Sequence, residues 1–523
     1  MGNTQSSSSV GIELEFLIAA QVGREPLNVP PRFLNSRGKP IIVPHGKSVS
    51  ETIKSRVEEV IEAAIEKHKG DRVVSSIAEV NADVNAYHLR NYLNWDVKRD
   101  MSVTLPDNLL NDPVMSRYQW QDLELATPAF FATEKSWEEI HRVVTALNEN
   151  FWVFCPESTG LHVHYGRGKH WMNVSHLSNL AAFLYAADPI ITQMHPEHRH
   201  GEESIWCKSN RLYSILAHGV RKEQATQYIY DNAGEVKPIS VPDNESDRPD
   251  PEPKRSRRKS SQFVSIFPRG YLEGYTFDQE HFNMTFPNFI TGRSRAQEGG
   301  EVSEPVGIVS AAEELFSATH PNVISLLMGY AVYVRMAYNF TAYDFTSYRR
   351  VEESLDGPRE TQPRRTIEFR QATGTVDPDE VLAQGKVAVR LCEIAGTKSK
   401  EDLWKMILDF AQAETHPTWY DVFDLLLELD LVDEARVIQR QMAKYRGIEI
   451  IDEDRGFARG PPPERPKGWA KFKATMRSLL SASDRRERAL LKVTEPYRQR
   501  IRELDREIHK MLVDMGTEGI PPA

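Results

Sequence analysis

Gly11-Ile12-Glu13-Leu14-Glu15-Phe16 is the stretch on which the reading of this chain turns. Its two carboxylates stand at i and i+2 between apolar neighbours. On a β-strand that spacing sends both acids to one face, while Ile12, Leu14 and Phe16 take the other and bury against helices. Two later stretches repeat the arrangement with different chemistry. Gly160-Leu161-His162-Val163-His164-Tyr165-Gly166 pairs two imidazoles, and Arg365-Thr366-Ile367-Glu368-Phe369-Arg370 pairs a carboxylate with a guanidinium. Asp122-Leu123-Glu124-Leu125-Ala126-Thr127-Pro128 adds two acids on one face of a fourth strand. A solvent-facing sheet gives the same alternation in any one segment. Such faces ordinarily carry Thr, Lys, Ser and Gln, however, and here the polar positions hold Glu, His and Arg. Glu and His suit divalent cations, and Arg suits phosphate oxygens. A site of Glu13, Glu15, Glu124, His162 and Glu368, poor in thiols, points to Mg²⁺ or Mn²⁺ rather than Zn²⁺, the usual companions of nucleotide phosphates.

Outward from these strands the pattern alternates. Val10 to Ala20, Trp95 to Val103, Trp120 to Ala126 and Leu161 to Tyr165 read as strands. Ser48 and Glu51 open a helix whose stripe is Ile53, Val57 and Ile61, and Trp137 to Asn150 reads as another. Ser175 to Gln193 is helical, with a break expected at Pro189. Asp377-Pro378-Asp379-Glu380 supplies a cap, a first-turn proline and a capping-box acid, so the strand from Thr366 ends before it and a helix follows. Residues 234–262, dense in Pro and charge, read as a disordered insert within a domain. Beyond about residue 397 the pattern is helical, and Tyr497, Ile501, Leu504, Ile508 and Met511 repeat at helical spacing. The expectation is an α+β domain over residues 10–396 and a helical extension over 397–523. That extension either packs on the domain or offers an oligomer or partner surface.

The 523 residues carry 65 Lys and Arg against 75 Asp and Glu, a net charge of −10, which argues against general wrapping of nucleic acid. Three widely spaced cysteines, Cys155, Cys207 and Cys392, form neither a disulfide framework nor a CxxC metal site and fit a reducing, cytoplasmic setting. The longest apolar run, Val323 to Val334, falls short of the ~20 residues that span a bilayer and reads as a buried helix. Met1-Gly2-Asn3-Thr4-Gln5-Ser6 fits an acylation pattern at Gly2, and residues 253–259 are a basic run of the nuclear-import or phosphate-binding kind. Chance in a serine-rich start, and a plain polyampholyte loop, are the favoured readings of these two.

The three paired strands, in their order and with Ser158-Thr159 and Gln371 beside them, resemble the motifs of the putative amidoligase family, carboxylate-amine ligases with a glutamine-synthetase-like catalytic fold. Trp95-Asp96-Val97-Lys98-Arg99-Asp100 with Ser102, and Leu123-Glu124-Leu125 before Pro128, echo further family segments. The resemblance implies a curved, mainly antiparallel sheet backed by helices. It implies ATP and two Mg²⁺ or Mn²⁺ ions held by Glu13, Glu15, Glu124, His162 and Glu368. Arg370 would stabilise the transferring phosphate, His164 would orient the substrate, and Arg365 and Asn339 would lie beside the nucleotide. The implied reaction joins a small-molecule or peptide carboxylate to an amine through an acyl phosphate. Family members often carry His where this chain has Ala372 and an aliphatic residue where it has Tyr165, departures that bear on substrate choice.

Other residues have plainer readings. His195, His198 and His200 lack metal-ligand spacing and read as a solvated loop. Cys207 reads as a core thiol, and Asp100 as a turn residue that could alternatively deprotonate the amine. Two other functions stay open: a non-catalytic scaffold on a degenerate ligase fold, and a metal-dependent hydrolase built on His162 and His164, which leaves Arg370 without a role.

Overall fold

The computed structural model describes residues 8–23, 28–65, 69–82, 92–200, 204, 206–233, 263–272, 305–330, 335–344, 365–450 and 457–458. Gly2, the 234–262 insert with its basic run and the repeat from Tyr497 to Met511 lie outside them. Residues 1–462 form one compact unit and 463–523 a second; every described residue belongs to the first.

The strands are β1 (Ser9–Val22), β2 (Ile41–Val43), β3 (Asp96–Lys98), β4 (Gln119–Ala126), β5 (Phe130–Phe131), β6 (Val153–Phe154), β7 (Gly160–Gly166), β8 (Val264–Ser265), β9 (Tyr338–Asn339) and β10 (Thr366–Thr373). An open sheet runs β3-β4-β1-β7-β10-β9, with β2, β5 and β6 also paired to the long β1. Every pairing in it is antiparallel except β1 with β2. β8 pairs with Phe457–Ala458 apart from this sheet. The result is a mixed α/β architecture with a largely antiparallel sheet.

Alternation assigns the faces as the sequence predicts. Ile12, Leu14, Phe16, Leu161, Val163 and Ile367 are all buried. Leu161, Val163 and Phe369 line a small cavity with Val387, Ala388 and Leu391 of helix Pro378–Thr397, which locates the apolar face under that helix. Gly385 permits the close approach: a Cβ there would lie 2.9 Å from the Trp137 ring and 3.2 Å from Ile12 Cδ1. The helix starts where the cap motif sets it, with Asp377 accepting from the Asp379 and Glu380 N–H groups at 2.9 and 3.2 Å. Helices Lys400–Thr415 and Val432–Tyr445 continue the same layer, packing on Val174–Thr192 and Pro378–Thr397.

Three local expectations change. Val174–Thr192 is one helix, unbroken at Pro189. The proline lies in its last turn, where it forfeits a single N–H donor, and the burial of Ile190 and Ile191 outweighs that loss. The strand from Trp95 stops at Lys98, because Asp100 accepts from Ser102 N–H and Oγ–H at 2.8 and 2.7 Å and turns the chain. The third change is the His195–His200 segment, which is anchored in the protein at His195 and Arg199 and not a fully solvated loop. His195 and Arg199 are buried, and a hydrogen bond of 3.1 Å joins His198 Nε2 to Thr373 Oγ1. A guanidinium inside the segment gives it backbone carbonyls to bind, a signal that histidine spacing does not carry. Val323 lies in helix Pro321–Met328, and residues 331–334 are outside the described set. Among the described residues no helix is long and apolar enough to cross a membrane.

Burial depresses several histidines outside the cluster of paired motifs, His176 and His195 among them. His176, its Nε2 3.0 Å from the Cys392 carbonyl oxygen, is pushed down to about 4, and His195 to about 3 by burial with help from its neighbours His200 and Arg199. Unfolded, both protonate near 6.5. The unfolded chain therefore binds more protons between pH 6.5 and 4, and stability falls as pH falls through that window. Between pH 6.5 and 5 each contributes a loss of up to about 2 kcal/mol. Melting at pH 7 and pH 5 should show a lower Tm at pH 5, with a smaller drop in His176→Gln; equal drops would contradict the assignment.

Candidate functional site

Register brings the polar face together. Glu13 is directly opposite His162 across β1 and β7, and Glu368 is opposite His164 across β10 and β7. Glu368 also faces Asn339 on β9, and Glu15 faces Glu124 on β4. Directly opposed side chains on an antiparallel pair stand about 5 Å apart at Cβ, so five strands deliver their groups to one place. The six residues of the three paired motifs converge there, mostly buried.

His162 is the hub. Its Nδ1 is 3.5 Å from Glu13 Oε2 and 3.8 Å from Glu368 Oε1, and its Nε2 is 3.6 Å from Glu15 Oε1. His164 Nε2 lies 3.3 Å from Glu13 Oε2 and 4.0 Å from Glu368 Oε1, while its Nδ1 is 3.3 Å from Thr366 Oγ1. Arg370 pairs with Glu368 through Nη1 and donates from Nε to the Trp206 carbonyl at 2.9 Å. Asn339 Nδ2 donates to the other Glu368 oxygen at 2.8 Å. Glu15 accepts the Gly160 N–H at 2.6 Å, and Lys98 Nζ approaches Glu124 Oε1 to 2.8 Å. Gly160 leaves room for this crowding, since a Cβ would come within 2.8 Å of His162 Nε2 and 2.9 Å of Arg199 Nη2.

These neighbours divide the acids electrostatically. Burial alone would raise the Glu13 carboxyl, but His164 and His162 overcome it and hold Glu13 well below the usual carboxylate range. Burial is likewise outweighed at Glu368, where Arg370 and the two imidazoles bring the value to about 2. At Glu15 burial wins over His162 and the Gly160 amide, and at Glu124 burial and the negative Glu13 win over Lys98, so both are raised. Glu13 and Glu368 are thus ionised at neutral pH.

Ligand atoms of Glu13, His162 and Glu368 fall within 4.8 Å of one another, close enough for one ion to bridge, and they form the only such group of three among the described residues. The two carboxylates are oxygen donors of the kind that Mg²⁺ and Mn²⁺ take, while the imidazole is a donor shared with Zn²⁺. Arg365 stands at one side, buried against the Trp171 ring with its guanidinium carbon 5.6 Å from the centroid. With Glu13, His164, Tyr92, Thr127 and Thr366 it lines a pocket of about 560 Å³, counted to its open mouth. Asp100 is committed to its turn, and Cys207 is a core thiol, donating from Sγ to the Arg199 carbonyl at 2.7 Å. The three cysteines are free.

Two contributors escape a reading of the motifs. Arg199, buried, donates to the Thr159 carbonyl at 3.4 Å and the Arg370 carbonyl at 2.6 Å, strapping β7 to β10 where their register shifts between Phe369 and Ala372. Lys98 sits in a short edge strand, and a lone lysine there reads as ordinary edge polarity.

Residues 6–231 match a family model described as "Putative amidoligase enzyme", the family that the motifs resemble. The matched span holds Glu13, Glu15, Lys98, Glu124, His162 and His164 and ends before β9 and β10. That part of the chain is therefore ligase-like. No curated protein matches the chain.

Arg199→Met should lower the free energy of unfolding by about 2–4 kcal/mol, because it removes two charged donors from carbonyls that stay buried. Urea denaturation measures this, and an unchanged midpoint would mean the strap does not hold the strands.

Proposed function

We propose that the chain is an ATP-dependent carboxylate-amine ligase that forms an amide or isopeptide bond. The observation carrying this reading is the convergence of Glu13, His162 and Glu368, with Arg370 bound to Glu368, on a sheet whose sequence over residues 6–231 is amidoligase-like. The open, largely antiparallel sheet supports a glutamine-synthetase-like catalytic fold.

In this reading a substrate carboxylate attacks the γ-phosphorus of ATP and ADP leaves. An amine then attacks the acyl phosphate, inorganic phosphate departs, and an amide remains. Glu13, His162 and Glu368 hold the divalent cation, which when bound neutralises charge on the phosphate oxygens. Arg370 is anchored by the Trp206 carbonyl and by Glu368, which fixes its planar guanidinium in advance and supports a role in stabilising a transferring phosphoryl group. His164, beside both Glu13 and the pocket, orients the substrate. Asn339 fixes Glu368 and, with Arg365, flanks the nucleotide. The acid and amine are small molecules or peptides, and the three free thiols support a cytoplasmic setting for the reaction.

Hydroxylamine, a strong small nucleophile, should intercept the acyl phosphate. Incubation with ATP, Mg²⁺ and a panel of amino acids and peptides should yield a hydroxamate and phosphate with at least one acid. Glu13→Gln should cut the rate by about 10²–10³-fold, the usual scale for losing one preorganised electrostatic group. Neither phosphate nor hydroxamate from any acid, together with no binding of ATP, would overturn the reading.

A further inference from the structure

The two ends of the acidic row are not equivalent. On one side Glu13, His162 and Glu368 bring their ligand atoms within 4.8 Å of one another. On the other, Glu15 and Glu124 face each other across β1 and β4, and β3 places Lys98 opposite Glu124. Lys98 Nζ is 2.8 Å from Glu124 Oε1, and a Glu15 oxygen is taken by the Gly160 N–H at 2.6 Å. β3 is fixed there by a second cross-strand pair, Arg99 with Asp122, so the lysine is not a side chain wandering over a surface. A divalent ion bound to the same Glu124 oxygen would have to expel the ammonium or share the space with it. Like charges at that range, in a half-buried place, repel strongly.

We infer that the Lys98 ammonium occupies the position of a second cation, so that the site binds one divalent ion, at Glu13, His162 and Glu368, with Lys98 as a fixed positive charge beside it. This deepens the ligase reading and rests on its metal assignment. The Lys98 side chain is 39% exposed, so the residue is within reach of an entering ligand while Glu124 holds its ammonium. Phosphate oxygens entering the site would then meet one metal ion, Lys98 and Arg370. A lysine suits the position because a compact ammonium, unlike a planar guanidinium, resembles a small cation in size and in its lack of directional preference.

Counting bound ions tests the inference without reference to turnover. The metal-stripped full-length chain is titrated with Mn²⁺ alone, and free Mn²⁺ is read by electron paramagnetic resonance. One Mn²⁺ per wild-type chain, two per Lys98→Met chain and one per Lys98→Arg chain is the expected set. Two per wild-type chain would overturn the inference while leaving the ligase reading intact. No Mn²⁺ bound by the wild type would overturn the metal assignment on which both stand. One per Lys98→Met chain, in a variant whose melting shows it folded, would assign Lys98 a merely structural pairing. If Lys98→Met does not fold, the wild-type count decides together with Lys98→Gln.

Discussion

Carboxylates removed from water on one face of a sheet need hydrogen-bond donors or positive charge within a few ångströms, and the rest of this structure serves that need. Glu13, Glu15 and Glu368 are each less than a tenth exposed. Burying such groups unpaired is prohibitive. Their partners come from neighbouring strands: His162 and His164 from β7 and Arg370 from β10 itself, with Glu124 beyond them drawing Lys98 from β3. None of these pairs is local in sequence except Glu368 with Arg370. The charge balance is therefore a statement about register, and a slip of one residue in any strand would turn its charged side chains into the helices.

Much of the molecule can be understood as protection of that register. Ile12, Val163 and Ile367 fill the opposite face under the helix from Pro378, and Gly385 lets that helix come close. Gly160 makes space where His162 and Arg199 crowd β7. Arg199 bridges the strands at the one place where the ladder of β7 and β10 is irregular. A sheet is a stiff support for such a cluster, and stiffness matters because an electrostatic site acts through groups already in place.

The paired strands, their faces and the meeting of Glu13, Glu15, His162, His164, Glu368 and Arg370 were legible in the sequence, because a period of two written with Glu, His and Arg among aliphatics leaves few alternatives. So was the helix start at Asp377, whose capping chemistry is local. What escaped depends on contacts that no spacing encodes. The unbroken helix through Pro189 rests on its position in a final turn packed by Ile190 and Ile191. The anchoring of the His195 to His200 segment rests on Arg199 finding two distant carbonyls. Lys98 acquires meaning only once β3 is seen to lie beside β4, a neighbour relation set by topology. The amidoligase match stops at residue 231, so the placement of Glu368 and Arg370 beside the earlier motifs comes from the fold.

The central claim is that Glu13, His162 and Glu368 form a cation site. Anomalous diffraction from crystals grown with Mn²⁺ tests it most directly, since the ion is located by its own scattering. The account predicts a peak at bonding distance from a carboxylate oxygen of Glu13, a ring nitrogen of His162 and a carboxylate oxygen of Glu368. Ordered Mn²⁺ elsewhere on the chain, with these three side chains in place and no peak between them, would contradict it.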